Sequence, residues 1–393
     1  MQAAIVQWNY QGWTLINDPA HKSDLVQITG DYGCLKSFRY AKDARAQGRA
    51  RESAETVGGR LVAGTAVHEA IARALTNKEL LPALLAGEHR ISRNLAEMVL
   101  REEFERAVAG REIIWYGKDN GDDIFLDRLE MVVGVLNDLH EHVAEVVAIE
   151  PGFIVRLGKY WLSGHLDLVY RPKSAPDTIA FADWKTGSTK PTPIELDHSW
   201  ESGIYSTALQ SGTWIAREHV ELPKGTPNRY MRERDLLEAE LIRVAKVDVA
   251  GGPLPEHALR YGQFPSDIRY VHLGDYVPYD KAGKKAVKRS EELAFWKLER
   301  PADVKYVKGM RRGPAWYQVR RSEQDIPRLE HLLRNVVGTV RMGRFFESVG
   351  EKCERCAWKQ DCLTTGYELR GDDAKQLETS MRGLVLADDG LGD

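Results

Sequence analysis

Two runs decide how this chain folds: GHLDLVY at residues 164–170 and TIAFADWKT at residues 178–186. Both are rich in β-branched and aromatic residues, and the Pro-bearing loop RPKSAPDT between them is a strand connection. Residues i and i+2 of a strand share a face. Asp183 and Lys185 therefore point one way and Trp184 the other. In the first run Leu166, Leu168 and Tyr170 share one face, and His165, Asp167 and Val169 the other. If the two strands pair, Asp167 comes to sit beside Asp183. Neighbouring carboxylates repel unless a positive charge lies between them. A divalent cation is the usual solution, and oxygen ligands at this spacing suit magnesium or manganese. Lys185, next to such an ion, can orient or deprotonate a water, or stabilise charge developing on phosphate. The plain alternative is a salt bridge from Lys185 to either aspartate.

Working outward, Phe153, Val155 and Leu157 alternate, a turn at Gly158 and Lys159 follows, and residues 161–170 read as one continuous second strand. Upstream, from GTAVHEAIARAL (residues 64–75) to about residue 147, the pattern is helical. Its clearest stripe is Leu129, Val132, Val133, Leu136, Leu139, Val143, Val146 and Val147, mostly three and four apart. After KTGS the helical period returns through about residue 211. Further strands are expected at 267–273 and 315–319, with a polar, irregular stretch between them and a final helix at roughly 323–341. The fold class is α/β with a small mixed sheet. No repeat and no GxxxxGK[ST] phosphate loop occurs, so nothing points to an ATP-driven motor.

The 393 residues are 29% charged and 43% hydrophobic, ordinary for a soluble globular protein. The first residues lack the pattern of a signal peptide, and no apolar run approaches a membrane span. A reducing cytoplasmic setting is the expectation, in which cysteines are read as metal ligands or reactive groups. Net charge is −3, so nucleic-acid binding would rest on local basic patches at 36–51, 281–289 and 305–321. Each patch also reads as a solvated basic face. The last residues, from Gly371, are acidic and are expected to be disordered.

Four further features carry chemistry. His68 lies in a helix of small apolar residues, as a packed core histidine or a ligand. Glu201 and Tyr205 are i, i+4 on the helix after the sheet and share a face, to contact DNA, the active site or only each other. Glu150 enters the first strand with its role open. Cys353, Cys356 and Cys362 crowd together near one end of the chain, and Cys34 lies near the other. Four thiolates suit either tetrahedral zinc or an iron–sulfur cluster.

Taken together, His68 in GTAVHEA, Glu150, Asp167 in GHLD, Asp183 and Lys185 in DWKTG, and Tyr205 resemble the PD-(D/E)xK nuclease superfamily in its RecB-like branch. The cysteines resemble the iron–sulfur subgroup of that branch, which includes the CRISPR-associated adaptation exonuclease and AddB nuclease domains. There, one cysteine opens the domain in a motif like CLKSFRY (residues 34–40) and three close it as C-x2-C-x5-C.

The resemblance implies a restriction-endonuclease-like core, a central mixed sheet flanked by helices, at residues 61–214. It also implies a [4Fe–4S] cluster on Cys34, Cys353, Cys356 and Cys362, joining an N-terminal segment (1–60) to a C-terminal helix and cysteine segment (321–370). Residues 215–320 are then remaining core strands and an insertion, and 371–393 the acidic tail. His68, Asp167, Asp183 and the Trp184 carbonyl would hold Mg2+ or Mn2+, with Lys185 as catalytic lysine. Glu150, Glu201 and Tyr205 complete the expected site. The family usually carries glutamine where this chain has Glu201, an acid unfavourable beside phosphate. The implied activity is metal-dependent exonuclease cleavage of DNA ends or single strands. Its partners would be a helicase or a recombination or CRISPR protein. A non-catalytic DNA-end binder on the same fold is the alternative.

Overall fold

The computed structural model describes residues 20–21, 34, 56–87, 90–109, 112–115, 121–187, 191–220, 229–278 and 310–341. The chain divides into two compact units. The larger comprises Gln11–Ser23 and Glu55–Arg334, and the other Met1–Tyr10, Asp24–Ala54 and Asn335–Asp393. The elements below belong to the larger unit, except that the last helix passes into the other at Asn335.

The helical stretch expected from residue 64 to 147 is several elements. After β1 (Ala20–His21) and β2 (Thr56–Gly58) come α1 (Gly59–Thr76), α2 (Leu80–Ala86) and α3 (Arg93–Val108). β3 (Glu112–Ile114) and α4 (Gly121–His142) complete it. Local chemistry sets the breaks. Asn77 Oδ1 accepts from the backbone N–H groups of Glu79 and Leu80, and Gly87 takes a left-handed φ of 69° at the end of α2. Ser92 then caps α3 by accepting from the Leu95 N–H.

The stripe was expected to stay helical through Val147, but α4 stops at His142. Val143–Ile149 is strand β4. The reason lies in VAEVVAI, whose β-branched side chains lose rotamer freedom in a helix and pack well on a pleated surface. β4 finds that surface by pairing antiparallel with the strand Leu168–Pro172.

Residues 161–170 likewise do not form one strand. β5 (Gly152–Leu157) and β6 (Tyr160–His165) form an antiparallel pair in one five-stranded sheet. Leu166 and Asp167 are not in a strand, and the chain enters a second sheet as β7 (Leu168–Pro172). The same crossing happens alongside, where β4 ends at Ile149 and β5 begins at Gly152. The two crossings are hydrogen-bonded to each other, from Glu150 N–H to Asp167 O at 2.9 Å and from Leu166 N–H to Pro151 O at 3.2 Å. Pro151 and Gly152 are the residues that make a straight continuation costly in the first crossing. A Cβ at position 152 would also lie 2.9 Å from Leu237, so glycine lets a later helix press against this bend.

β8 (Ala180–Lys185), α5 (Pro193–His198), α6 (Trp200–Ser211) and β9 (Thr213–Ile215) follow, then a 3-10 turn at Arg217–Val220 and α7 (Arg229–Val249). The chain continues through β10 (Ala258–Leu259), β11 (Asp267–Pro278) and β12 (Met310–Gln318) into α8 (Asp325–Arg341). The expected strands at 267–273 and 315–319 and the expected final helix are thus present. The first sheet runs β1-β6-β5-β9-β10 and the second β12-β11-β8-β7-β4, with β8 parallel to β11 and antiparallel to β7. Both sheets are mixed, as the fold class required.

The second sheet buries one face under α1–α4. Ala180, Ala182 and Trp184 of β8 join Val67, Ile71, Leu136 and Leu139 in one apolar cluster. On its other face, Phe181 packs edge-on against Tyr205 of α6, with ring centroids 5.4 Å apart. The alternation read in FADWKT therefore holds. Among the described residues, no helix is long and apolar enough to cross a membrane.

Candidate active site

The two sheet crossings bring their acids to one place. Asp167 Oδ2 accepts the Trp184 backbone N–H at 2.6 Å, and Oδ1 lies 3.2 Å from His68 Nδ1. His68 reaches it from α1 because Gly64, one turn earlier, lets that helix close on the end of β8. A Cβ there would stand 2.9 Å from Thr186 Oγ1. Burial lowers the basicity of His68, but Asp167 and then Glu150 outweigh it, and the ring is held above its ordinary value.

Glu150 adopts φ 44°, a left-handed backbone that a non-glycine residue holds only when its surroundings impose it. Here the paired crossing imposes it, and the side chain turns toward Asp167. His68, Glu150 and Asp167 each offer a ligand atom, and these atoms lie within 4.8 Å of one another. One imidazole and two carboxylates make a donor set that fits a divalent cation. The expected set was His68, Asp167, Asp183 and the Trp184 carbonyl. In this arrangement Glu150 joins His68 and Asp167, and Asp183 faces the lysine.

Asp183 Oδ2 lies 2.6 Å from Lys185 Nζ, and Glu201 Oε2 lies 3.0 Å from the same nitrogen. The β7–β8 register ends with Leu168 paired to Ala182, and Asp167, just before β7, reaches the end of β8 through its bond to the Trp184 N–H. Burial would lower the lysine, but Asp183, Glu201 and Asp167 hold its ammonium well above the usual value. Lys185 is thus placed as a hydrogen-bond donor to Asp183 and Glu201. Glu201, unfavourable beside phosphate on paper, is matched by this lysine.

Tyr205 does not share Glu201's exposure. It is 1% accessible and packs edge-on against Phe153 as well as Phe181. The structure thus places it in the core beneath the site rather than at a DNA-facing surface. Tyr205→Ala should cost roughly 3–5 kcal/mol of stability, as large aromatic truncations in cores do. Urea denaturation of the purified variant measures this.

Sequence reasoning missed the groups around Glu150. Arg217 pairs with Glu150, with Glu69 at 2.6 Å and with Glu233 at 2.9 Å. Burial and Glu150 push the Glu69 carboxyl up, against the lowering effect of Arg217. Arg217, Glu233, Arg234 and Leu237 line the same pocket as His68, Glu150, His165 and Asp167. These partners are far apart in sequence and carry no local pattern. Only the Glu-Pro-Gly break at residues 150–152 marks the bend. Tyr270 of β11 is paired in register with Asp183, and Lys185 Nζ lies 6.0 Å from its ring.

Of the basic patches, 36–51 and 281–289 lie outside the described residues. Within 305–321, Arg321 is spent internally: it donates to the carbonyls of Leu196, Asp197 and Ser199 and to Ser202 Oγ. Cys34 is half-buried. Cys353, Cys356, Cys362 and the acidic tail fall outside the described residues.

Histidine and carboxylate donors beside a lysine at the end of the central strand of a mixed sheet are the means of hydrolases that work through a divalent ion. A sequence profile of the PD-(D/E)XK nuclease superfamily matches residues 32–363, and the chain belongs to this superfamily. Membership implies a metal-dependent nuclease. No curated protein matches the sequence.

Proposed function

We propose that the protein is a metal-dependent DNA exonuclease of the RecB-like branch, hydrolysing phosphodiester bonds at ends or on single strands during recombination, repair or DNA processing. The observation that carries the reading is the convergence of His68, Glu150 and Asp167 beside Lys185 in a chain of the nuclease superfamily.

In this reading His68, Glu150 and Asp167 hold Mg2+ or Mn2+, with Asp183 and the Trp184 carbonyl as further donors. When bound, the ion supplies Lewis-acid polarisation of the phosphate and a more acidic water. The ammonium of Lys185, steadied by Asp183 and Glu201, donates to the phosphate oxygens and stabilises charge gathering there. Water attacks phosphorus in line and gives up a proton, the bond to one deoxyribose oxygen breaks, and that oxygen takes up a proton.

Cys34, Cys353, Cys356 and Cys362 bind a [4Fe–4S] cluster that closes the smaller unit. All four cysteines lie in segments assigned to that one unit, and their one-plus-three spacing supports a cluster over paired zinc knuckles. Residues 61–214 form the nuclease core, and 215–320 supply remaining core strands and an insertion. The site of action is the cytoplasm, with a helicase or a recombination or CRISPR protein as partner.

The reading is tested with covalently closed single-stranded circles beside the same DNA linearised. Degradation of the linear form alone supports an exonuclease. Equal cutting of the circle contradicts it.

A further inference from the structure

Arg217 occupies a 3-10 turn far along the chain from every donor of the site, yet three carboxylates converge on it. Its Nη1 pairs with Glu150 Oε2. Its Nη2 binds Glu69 Oε2 at 2.6 Å and Glu233 Oε2 at 2.9 Å, and Nε binds Glu233 Oε2 at 3.2 Å. Glu233 comes from α7 and is 4% exposed. Glu69 follows His68 on α1. The guanidinium therefore grips Glu150 directly and braces the helix that carries His68.

Buried carboxylates this close repel one another unless a cation is held among them. Glu150 meets the guanidinium through Oε2. Its backbone is fixed at φ 44° by the paired crossing, so its side-chain rotamer decides whether the carboxylate faces His68 and Asp167. A carboxylate has two oxygens, so Glu150 can keep one on Arg217 while presenting the other to an ion. A planar fork suits this task, because it fixes direction as well as charge.

We propose that Arg217 is the positioning residue of the metal site, and that, tied down by Glu69 and Glu233, it aims the Glu150 carboxylate at His68 and Asp167. The proposal rests on the reading of those three residues as metal donors. It gives the turn at Arg217–Val220 and α7 a role: they close the site and set how strongly it binds the ion. The opposing possibility is that Arg217 competes with the ion for Glu150. The two differ in sign, because competition makes removal of the arginine tighten metal binding.

The test is Mn2+ titration of the full chain, following the free-ion electron paramagnetic resonance signal. It compares the wild type, Arg217→Gln and Arg217→Lys, each checked for fold by circular dichroism. Loss of the fork should weaken Mn2+ binding in Arg217→Gln about 10–100-fold, as for other groups that orient metal ligands. Arg217→Lys should fall between, since its ammonium restores charge without the fork. Unchanged or tighter binding in a folded Arg217→Gln overturns the proposal. Should that variant not fold, wild-type affinity in Arg217→Lys overturns it equally. A wild type that takes up no Mn2+ overturns the metal-site reading itself, before any variant is compared.

Discussion

Lys185→Ala is expected to lower DNA cleavage about 10²–10³-fold, the usual cost of removing one preorganised donor aimed at developing charge. The geometry makes the interpretation clean. Lys185 is not among the three grouped donors, so Mn2+ binding by His68, Glu150 and Asp167 should survive. Lys185 Nζ is held by Asp183 at 2.6 Å and Glu201 at 3.0 Å, which fixes its direction. Loss of cleavage with metal binding retained marks a group that acts on the reacting phosphate. Near-normal cleavage by the variant would show that the charge at the reacting phosphate is met elsewhere.

Asp167 should show two separable effects, because its two oxygens do different things. Oδ1 faces His68 and belongs to the metal-capable group, while Oδ2 accepts the buried Trp184 N–H at 2.6 Å. Asp167→Asn keeps an oxygen acceptor for Trp184 but removes the charge, so activity should fall about 10²–10³-fold through loss of several kcal/mol of metal-assisted stabilisation. Its stability should change little. Asp167→Ala should lose the same activity and a further roughly 1–3 kcal/mol of stability, because the Trp184 N–H is left without its acceptor. Denaturant melts of the two variants beside activity assays check this. Equal stability of the two would show that the hydrogen bond to Trp184 contributes nothing.

The strand carrying Asp183 and Lys185 was legible because a two-residue period needs only local sequence. Ala182 and Trp184 do lie in the helical cluster, and Phe181 does face α6. The crossings were not legible as such. LSGHLDLVY has the composition of one strand, and its break at Leu166 and Asp167 is imposed by pairing with Glu150 and Pro151. For the same reason the alternation that placed Asp167 by parity does not apply across the break. It still reaches the end of β8, because β7 begins one residue later and the Asp167 carboxylate accepts the Trp184 N–H.

Tyr205 shows the limit of helical-face arguments. Four residues separate it from Glu201, yet Tyr205 is buried and Glu201 lies part-exposed beside Lys185. The ring of acids around Arg217 could not have been read at all. Glu69 and Glu233 are ordinary surface-type residues in sequence, and they join Glu150 in a cluster only when α1, the first crossing and α7 meet.

The most direct measurement incubates end-labelled single- and double-stranded DNA with the wild type and Lys185→Ala, in Mn2+, in Mg2+ and in EDTA. A metal-dependent nuclease built on His68, Glu150, Asp167 and Lys185 predicts loss of full-length label only in the wild type with an ion present. Label left intact in every lane, by folded protein that still binds the DNA, would contradict the account and leave a DNA-end binder on a nuclease fold.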